Sequence, residues 1–251
     1  MIQRAFIHEY GQGKLEPEHR DVAEVLAARG IPFELFTIKR LMRNQLPLDA
    51  ETLVVGDHAV ISLAMKRLGL DGMSDCYPKS LEKYLGRRVW STTIRGLMSE
   101  SRFKNMTDIF VKPKSKAKLF TGFVLNSNRE LWRLDGYSGQ TELYCSTLVD
   151  WVSEWRVFVN RGRIVGVRTY AGDANISLDM EVVEAAVRDL EASDQRTAGY
   201  GIDFGVLESG ETTLVEWNDG FALGSYGLEK EVYADLLIAR WEEVLEQSAP
   251  K

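Results

Sequence analysis

Apolar and polar positions follow two periods along the first eighty residues. Short apolar runs predict strands over residues 5–10, 33–38 and 52–55, and a helical period predicts helices over residues 17–29 and 59–68. Such alternation predicts a small parallel sheet with helices packed on it. Ligands of parallel sheets bind at the carboxyl ends of the strands. The polar residues at those ends are His8, Glu9, Asp57 and His58. We expect them to line a cleft, although each one alone is equally explained as a polar strand end.

The pattern becomes rich in strands beyond a connection at residues 71–80. A short helix is predicted over residues 81–85. Strands are predicted over residues 109–112, 142–148, 154–159 and 163–170. Residues 149–153 are predicted to be a short connection, and amphipathic helices are predicted over residues 179–192 and 229–247.

A hairpin near the C-terminus carries three oxygen-bearing side chains. The apolar runs around Asp203 and Val215 are separated by the polar turn at residues 208–211. Glu216 and Asn218 are two positions apart, so they face the same side of a strand. Together with Asp203 they offer the carboxylate and amide oxygens that Mg²⁺ prefers. The alternative is that they are polar residues on a solvent face, the commoner explanation of an isolated E-x-N motif.

Basic residues follow two of the predicted strands. Four lysines occur at alternate positions from Lys112 to Lys118, which is typical of a solvated turn. Lys112, however, ends an apolar strand, where its charge requires a partner such as a triphosphate. In the strand over residues 154–159, Glu154 and Arg156 lie on one face, so Glu154 is a candidate ion-pair partner of Arg156.

Composition narrows the functional classes. A chain of 251 residues allows one or two closely packed domains. It is 45% hydrophobic and 27% charged, as in soluble globular proteins, and contains no apolar stretch of membrane-spanning length. The start of the chain becomes polar too soon for a signal peptide, so we expect a cytoplasmic protein without a membrane partner. A net charge of −6 argues against duplex nucleic acid as a partner.

Taken in order, these features resemble the ATP-grasp superfamily, from about residue 87 to residue 227. The resemblance is densest in the strings FVKPKSKAKLFTGF, STLVDWVSEWRVFV and GYGIDFGVLESGETTLVEWNDG. In particular, the chain is similar to the small RimK-like clade that is distinguished by extra arginines and a lysine. The resemblance implies an α/β plus α+β fold. A small Rossmann-like α/β unit over residues 1–85 would precede an ATP-grasp fold over residues 86–251, with a lysine and turn subdomain at about 86–147 and a metal-binding subdomain at about 148–251.

The resemblance also implies ATP as the nucleotide. Lys112 matches the strand lysine that contacts the nucleotide phosphates, and Lys118 is a second candidate from the turn. The backbone of the hinge at residues 145–148 would read the adenine edge, and Glu154 would hold the ribose hydroxyls. The hinge residues concerned are Ser146, Thr147 and Leu148. Many relatives carry Glu where this chain has Thr147, and the first phosphate-binding lysine has only Arg88 or Lys83 as a counterpart.

The metal and the reacting phosphate have their own implied residues. Asp203, Glu216 and Asn218 would bind Mg²⁺, as one or two ions for which Mn²⁺ can substitute. Arg156 and Arg168 would face the γ-phosphate or an acyl phosphate.

The implied activity is that of a carboxylate–amine ligase, which forms an amide or peptide bond through an acyl phosphate and releases ADP and phosphate. Its partners would be ATP and an unknown carboxylate and amine, each an amino acid, a peptide or a small molecule. A kinase that phosphorylates a small acceptor is one alternative, and a non-catalytic nucleotide-binding module is another. The acceptor site is expected near His8, Asp57, His58 and the loop at residues 220–226.

Overall fold

Three β-sheets follow one another along the chain in the computed structural model, which describes residues 2–70, 75–104, 108–114 and 119–247. The first sheet is parallel, and the other two are antiparallel. No helix within these ranges is both long and apolar enough to span a bilayer.

The first sheet confirms the predicted parallel arrangement. Its strands are β1 (Arg4–His8), β2 (Phe33–Phe36) and β3 (Thr52–Val55), in the order β2-β1-β3. Helices α1 (Pro17–Ala28), α2 (Ile38–Met42) and α3 (His58–Leu68) accompany them. The strand predicted over residues 33–38 is shorter than expected, because Thr37 is the N-cap of the unpredicted helix α2. Helix α3 ends as predicted at Gly69, whose φ of 69° is the left-handed geometry that glycine adopts most easily.

The second sheet carries the predicted lysine strand. Its strands are β4 (Val89–Thr93), β5 (Ile109–Pro113), β6 (Phe123–Leu125) and β7 (Glu142–Thr147), in the order β4-β7-β5-β6. Helix α4 (Ile94–Lys104) and a 3₁₀ helix at Asn128–Leu134 connect them. The helix predicted over residues 81–85 is a 3₁₀ helix at Lys79–Tyr84.

The third sheet contains the predicted hairpin. Its strands are β8 (Trp151–Asn160), β9 (Arg163–Gly172), β10 (Gly199–Leu207) and β11 (Thr212–Asp219), in the order β11-β10-β8-β9, with helices α5 (Met180–Glu191) and α6 (Lys230–Gln247). The prediction of a connection at residues 149–153 is wrong, because β8 already begins at Trp151, which pairs with Leu207 of β10. Its indole Nε1 also donates to Thr213 Oγ1 at 2.9 Å.

Helix α6 joins the first sheet to the third. Trp241 is fully buried, and its Nε1 donates to the Thr52 carbonyl at 2.8 Å. On the side of the third sheet, Arg240 forms a two-pronged ion pair with Asp219, with distances of 2.6 and 2.9 Å. The core of the N-terminal unit therefore continues into the C-terminal helix, and the predicted division at residues 85 and 147 stays a prediction.

Candidate active site

A row of four charged side chains crosses the third sheet. Glu216 on β11 is the cross-strand partner of Asp203 on β10, and Asp203 is the partner of Arg156 on β8. Arg156 is in turn the partner of Arg168 on β9. Directly opposed residues of neighbouring strands project from the same face of a sheet. Two predicted metal ligands and two predicted phosphate-binding arginines therefore lie side by side.

Arg156 and Asp203 form a buried, two-pronged ion pair. The Nε and Nη2 atoms of Arg156 donate to the two carboxylate oxygens of Asp203 at 2.7 and 2.6 Å. The expected pairing of Arg156 with Glu154 on its own strand is wrong, because the cross-strand neighbour Asp203 is closer than a residue two positions along β8. Burial raises the pKa of the Asp203 carboxyl to about 6, although Arg156 acts in the opposite direction.

Asn218 completes the predicted set of oxygen ligands. Its Nδ2 donates to Asp203 Oδ2 at 3.0 Å, so the amide lies against the carboxylate that Arg156 holds. A hydrogen bond from Asn218 also helps to lower the pKa of Glu216. Within the described ranges, no three His, Cys, Asp or Glu side chains form a metal-binding group. The cluster here consists of two carboxylates and one amide.

Lys112 reaches this cluster from the second sheet. Its Nζ lies 2.6 Å from Glu216 Oε2 and 4.4 Å from the centroid of the Tyr77 ring. Burial acts to lower the pKa of Lys112, but Glu216 outweighs it and the pKa is raised. Burial likewise acts to raise the pKa of Glu216, whereas Lys112 holds it below its ordinary value. Both groups are therefore charged at neutral pH.

A cavity of about 380 Å³ lies beside the Lys112–Glu216 pair. This volume is within the range of small-molecule sites. Phe110, Val124 and Trp151 supply apolar lining. Six of the residues predicted from the sequence also line the cavity, namely Lys112, Ser146, Thr147, Leu148, Glu154 and Glu216. The structure thus brings the predicted phosphate, hinge, ribose and metal residues to one place.

The hinge is partly engaged by the second sheet. The backbone N–H of Thr147 donates to the Arg88 carbonyl at 3.0 Å, and the Arg88 N–H donates to Thr147 Oγ1 at 3.3 Å. Leu148 follows the end of β7, and no backbone hydrogen bond from its N–H is made within the described part of the chain. The N–H of Leu148 is therefore the hinge donor that remains for a purine edge.

Other predicted residues lie apart from the cavity. Arg168 donates to both carboxylate oxygens of Glu229 at 3.0 Å, at the exposed end of the row. The guanidinium of Arg88 lies 4.9 Å from the centroid of the Trp90 ring, and Lys83 pairs with Asp189 at 2.9 Å. Lys118 lies outside the described residues. The roles assigned to these residues stay predictions.

Arg87 and Tyr170 line the cavity but are not among the residues predicted for the site. Arg87 donates to the carbonyls of Leu214 and Val215 at 2.6 and 2.8 Å, and its guanidinium lies 4.9 Å from the Trp151 ring. The Tyr170 hydroxyl donates to Glu154 Oε2 at 3.0 Å. The Arg-Arg dipeptide is visible in the sequence, but which of the two faces the cavity depends on strand β4 following it.

The polar residues at the first sheet have structural contacts. Asp57 caps α3, since its Oδ1 accepts from the N–H groups of Ala59 and Val60 at 2.9 and 3.0 Å. His8 is buried, and its carbonyl oxygen lies 3.1 Å from His19 Nδ1. Burial lowers the pKa of both imidazoles. A part in binding the acceptor stays a prediction for these residues.

Comparison with known proteins adds two findings. One family model matches residues 84–236, which is more than half of the chain. It describes an ATP-grasp domain, family 2 of the clade whose name stands for two arginines and a lysine. No curated protein sequence matches.

Solved structures resemble the chain over almost its whole length. They include D-cycloserine synthetase DcsG, with a TM-score of 0.60, 11% identity, and coverage of 94% of this chain and 99% of that chain. The D-alanine–D-alanine ligase of Bacillus anthracis has a TM-score of 0.58, 13% identity, and coverage of 98% and 100%. The ATP-grasp ligase PsnB, complexed with a minimal precursor, has a TM-score of 0.53, 15% identity, and coverage of 96% and 100%. At these identities the likeness concerns the fold, and it confirms the ATP-grasp fold expected from the sequence.

Proposed function

Because the chain belongs to this second family of the ATP-grasp clade named for two arginines and a lysine, we propose that it is an ATP- and Mg²⁺-dependent ligase that joins a carboxylate to an amine. The reaction would form an acyl phosphate and release ADP and phosphate. The observation that carries the proposal is the charged row Glu216–Asp203–Arg156–Arg168, the near end of which borders a cavity of nucleotide size. The names of similar solved structures, a D-alanine–D-alanine ligase and the ATP-grasp ligase PsnB, agree with this class of reaction.

The cavity is suited to ATP. Apolar side chains from both sheets, including Phe110 and Trp151, would enclose the base, while the Leu148 N–H would meet its edge. Glu154 lies on the same wall and would accept hydrogen bonds from the ribose hydroxyls. Lys112 lies where the phosphates would approach the metal-binding carboxylates.

The oxygen cluster is suited to Mg²⁺. Asp203, Glu216 and Asn218 would supply two carboxylates and an amide, and phosphate oxygens and water would fill the remaining positions, as is usual for this ion. The solved structure of PsnB with a minimal precursor, Mg and ADP shows that combination in a protein of the same fold. Bound Mg²⁺ would neutralise charge on the phosphates.

The arginines and the lysine would make the first step feasible. Attack of a carboxylate on the γ-phosphate is opposed by like charge, and fixed cations lower that barrier. Arg156 uses Nε and Nη2 to bind Asp203, and its Nη1 donates no hydrogen bond within the described part of the chain. Nη1 is therefore the donor that would meet a phosphoryl oxygen. Lys112 would exchange Glu216 for a phosphate oxygen, and the amine would then displace phosphate from the activated carbonyl carbon.

Calorimetry tests the nucleotide site without knowledge of the acceptor. Mg-ATP is titrated into the wild type and into the Glu216→Gln, Asn218→Ala double variant. We expect magnesium-dependent binding by the wild type and at least tenfold weaker binding by the variant. Glu142→Gln, which changes an exposed glutamate on β7, is the matched control and should bind like the wild type. No binding by a folded wild type would refute the proposal.

Turnover then tests the reaction class. ADP release is screened with carboxylates and amines together, and each is omitted in turn. A ligase requires both for a stable product. A stable phosphorylated product formed without an amine would identify a kinase instead.

A further inference from the structure

The loop between β11 and α6, residues 220–229, leaves one large side chain at its surface. Phe221, Leu223 and Leu228 are buried, whereas Tyr226 is 43% exposed. A loop anchored by three apolar side chains has little freedom to relocate the fourth. The position of the Tyr226 ring is therefore fixed by the loop.

Tyr226 has a costly backbone conformation. Its φ is +46°, in the left-handed region that a bulky residue seldom adopts, and Gly227 follows with φ of +78°. Such geometry persists only where neighbouring contacts impose it, and it is concentrated at functional sites. The contacts on both sides of Tyr226 are therefore informative.

Two charged side chains hold the loop on either side of Tyr226. Glu18, on α1, accepts from the Ser225 N–H at 3.2 Å. Arg168 donates to the Gly227 carbonyl at 3.2 Å and to the Glu229 carboxylate at 3.0 Å. The N-terminal unit and the outer arginine of the charged row thus fix the residues that flank Tyr226.

The Tyr226 ring lies against the inner arginine of the row. The Cζ atom of Arg156 is 5.0 Å from the ring centroid, within the range of a cation–π contact. The same ring stacks on Tyr170, with centroids 5.1 Å apart and planes inclined by 23°. Tyr170 lines the nucleotide cavity and binds Glu154, so the stack extends to the cavity wall.

We propose that Tyr226 is a positioning residue for Arg156, holding the plane of its guanidinium so that Nη1 faces the terminal phosphoryl group of the nucleotide. Asp203 fixes one edge of that guanidinium through Nε and Nη2, and the Tyr226 ring fixes its plane. An ion pair alone leaves the guanidinium free to tilt, and the flat ring removes that freedom. The inference rests on the proposed function, because it requires a nucleotide in the cavity.

The test compares two nucleotides that differ at the terminal phosphate. Affinities for Mg-ADP and for the non-hydrolysable triphosphate Mg-AMP-PNP are measured by calorimetry in the wild type, Tyr226→Phe and Tyr226→Leu. If Tyr226 positions Arg156, the wild type and the Phe variant should prefer the triphosphate. The Leu variant should lose about tenfold of that preference, with its affinity for Mg-ADP unchanged. A merely structural side chain would affect both nucleotides equally.

Tyr226→Gly separates the ring from the stability of the loop. Glycine tolerates the left-handed backbone, so this variant should melt at or above the wild-type temperature and still lose the triphosphate preference. Arg161→Gly is the matched control. Its φ is +49° in the exposed turn between β8 and β9, and its removal should leave both affinities unchanged.

Each outcome distinguishes the two hypotheses. A wild type that binds neither nucleotide overturns the proposed function and this inference with it. Normal binding by the wild type with an unchanged preference in the Leu variant overturns the inference alone. Equal loss of both nucleotides in the Leu variant also overturns it, because the ring would then support the cavity as a whole.

Discussion

Lys112 and Glu216 bind each other from two different sheets, with 2.6 Å between Nζ and Oε2. The lysine assigned to the phosphates thereby neutralises a carboxylate assigned to the metal, as Arg156 does for Asp203. A nucleotide that attracts Lys112 would release Glu216 for the metal. Binding of metal and nucleotide should therefore be mutually dependent, since each ligand favours the arrangement that the other requires.

Lys112→Met should change the two affinities in opposite directions. Without the cation, Glu216 is free to bind a metal, so affinity for Mn²⁺ in the absence of nucleotide should rise about tenfold, or about 1.4 kcal/mol. Affinity for ATP should fall at least tenfold, because a phosphate contact is lost. Calorimetric titrations with each ligand alone provide the measurement.

Lys114→Met is the matched control for that variant. Lys114 follows the same strand, but it pairs with the exposed Glu142 at 3.8 Å. Both affinities should equal those of the wild type. If Lys112→Met weakens Mn²⁺ binding, Glu216 is not a metal ligand that the lysine masks.

Glu216→Gln should lower stability as well as metal binding. The sequence alone predicts that this change leaves the fold intact, since Glu216 faces a cleft. In the structure the change removes the counter-charge of Lys112, whose side chain is only 14% exposed. Removing one partner of a hydrogen-bonded pair that is mostly buried costs about 1–3 kcal/mol. Urea unfolding gives the free energy.

A double-mutant cycle decides whether the pair is the cause. Adding Lys112→Met to Glu216→Gln should restore part of the lost stability, because no buried charge then lacks a partner. Strictly additive losses would show that the two side chains stabilise the fold independently.

Arg156 and Arg168 should differ in their contribution to stability, although they are cross-strand partners. Arg156→Lys replaces a buried two-pronged pair by a single contact and should cost about 1–3 kcal/mol. Arg168→Lys changes a pair whose arginine is 30% exposed and whose glutamate is 63% exposed, so it should cost less than about 1 kcal/mol. Equal losses in urea unfolding would contradict the difference in burial.

Short-range patterns predicted much of the site. The hairpin that carries Asp203, Glu216 and Asn218 follows from apolar runs and a polar turn, and the lysine strand follows from its apolar run. These features depend on neighbours within a few residues, which a sequence displays directly.

Pairings between distant elements were beyond such patterns. Lys112 and Glu216 are 104 positions apart and lie on separate sheets, so neither period nor spacing relates them. The partner of Arg156 is Asp203 across the strands, which depends on strand order and register. Arg87, rather than Arg88, lines the cavity because the chain enters β4 with that side inward.

The two buried histidines predict a loss of stability in mild acid. Burial lowers the pKa of His8 and His19 below the ordinary value of 6.5, although neighbouring carboxylates oppose it. Asp57 and Glu9 act on His8, and Asp57, Glu16 and Glu18 act on His19. Below pH 6.5 the unfolded chain therefore binds more protons at these positions than the folded chain does. Stability from the histidines is complete above pH 6.5 and declines as the pH falls, by at most about 1.4 kcal/mol per histidine and pH unit.

Urea unfolding at pH 7.5 and 5.5 measures this decline. Asp203 contributes with the opposite sign below about pH 6, because its raised pKa makes the folded chain bind the extra proton. The effect of the histidines is therefore the difference in pH dependence between the wild type and the His8→Asn, His19→Gln double variant. The double variant should lose less stability between the two pH values than the wild type, whereas His58→Gln, at an exposed position, should lose as much as the wild type. If the double variant and the wild type lose equal stability, the imidazoles are not held neutral by the fold.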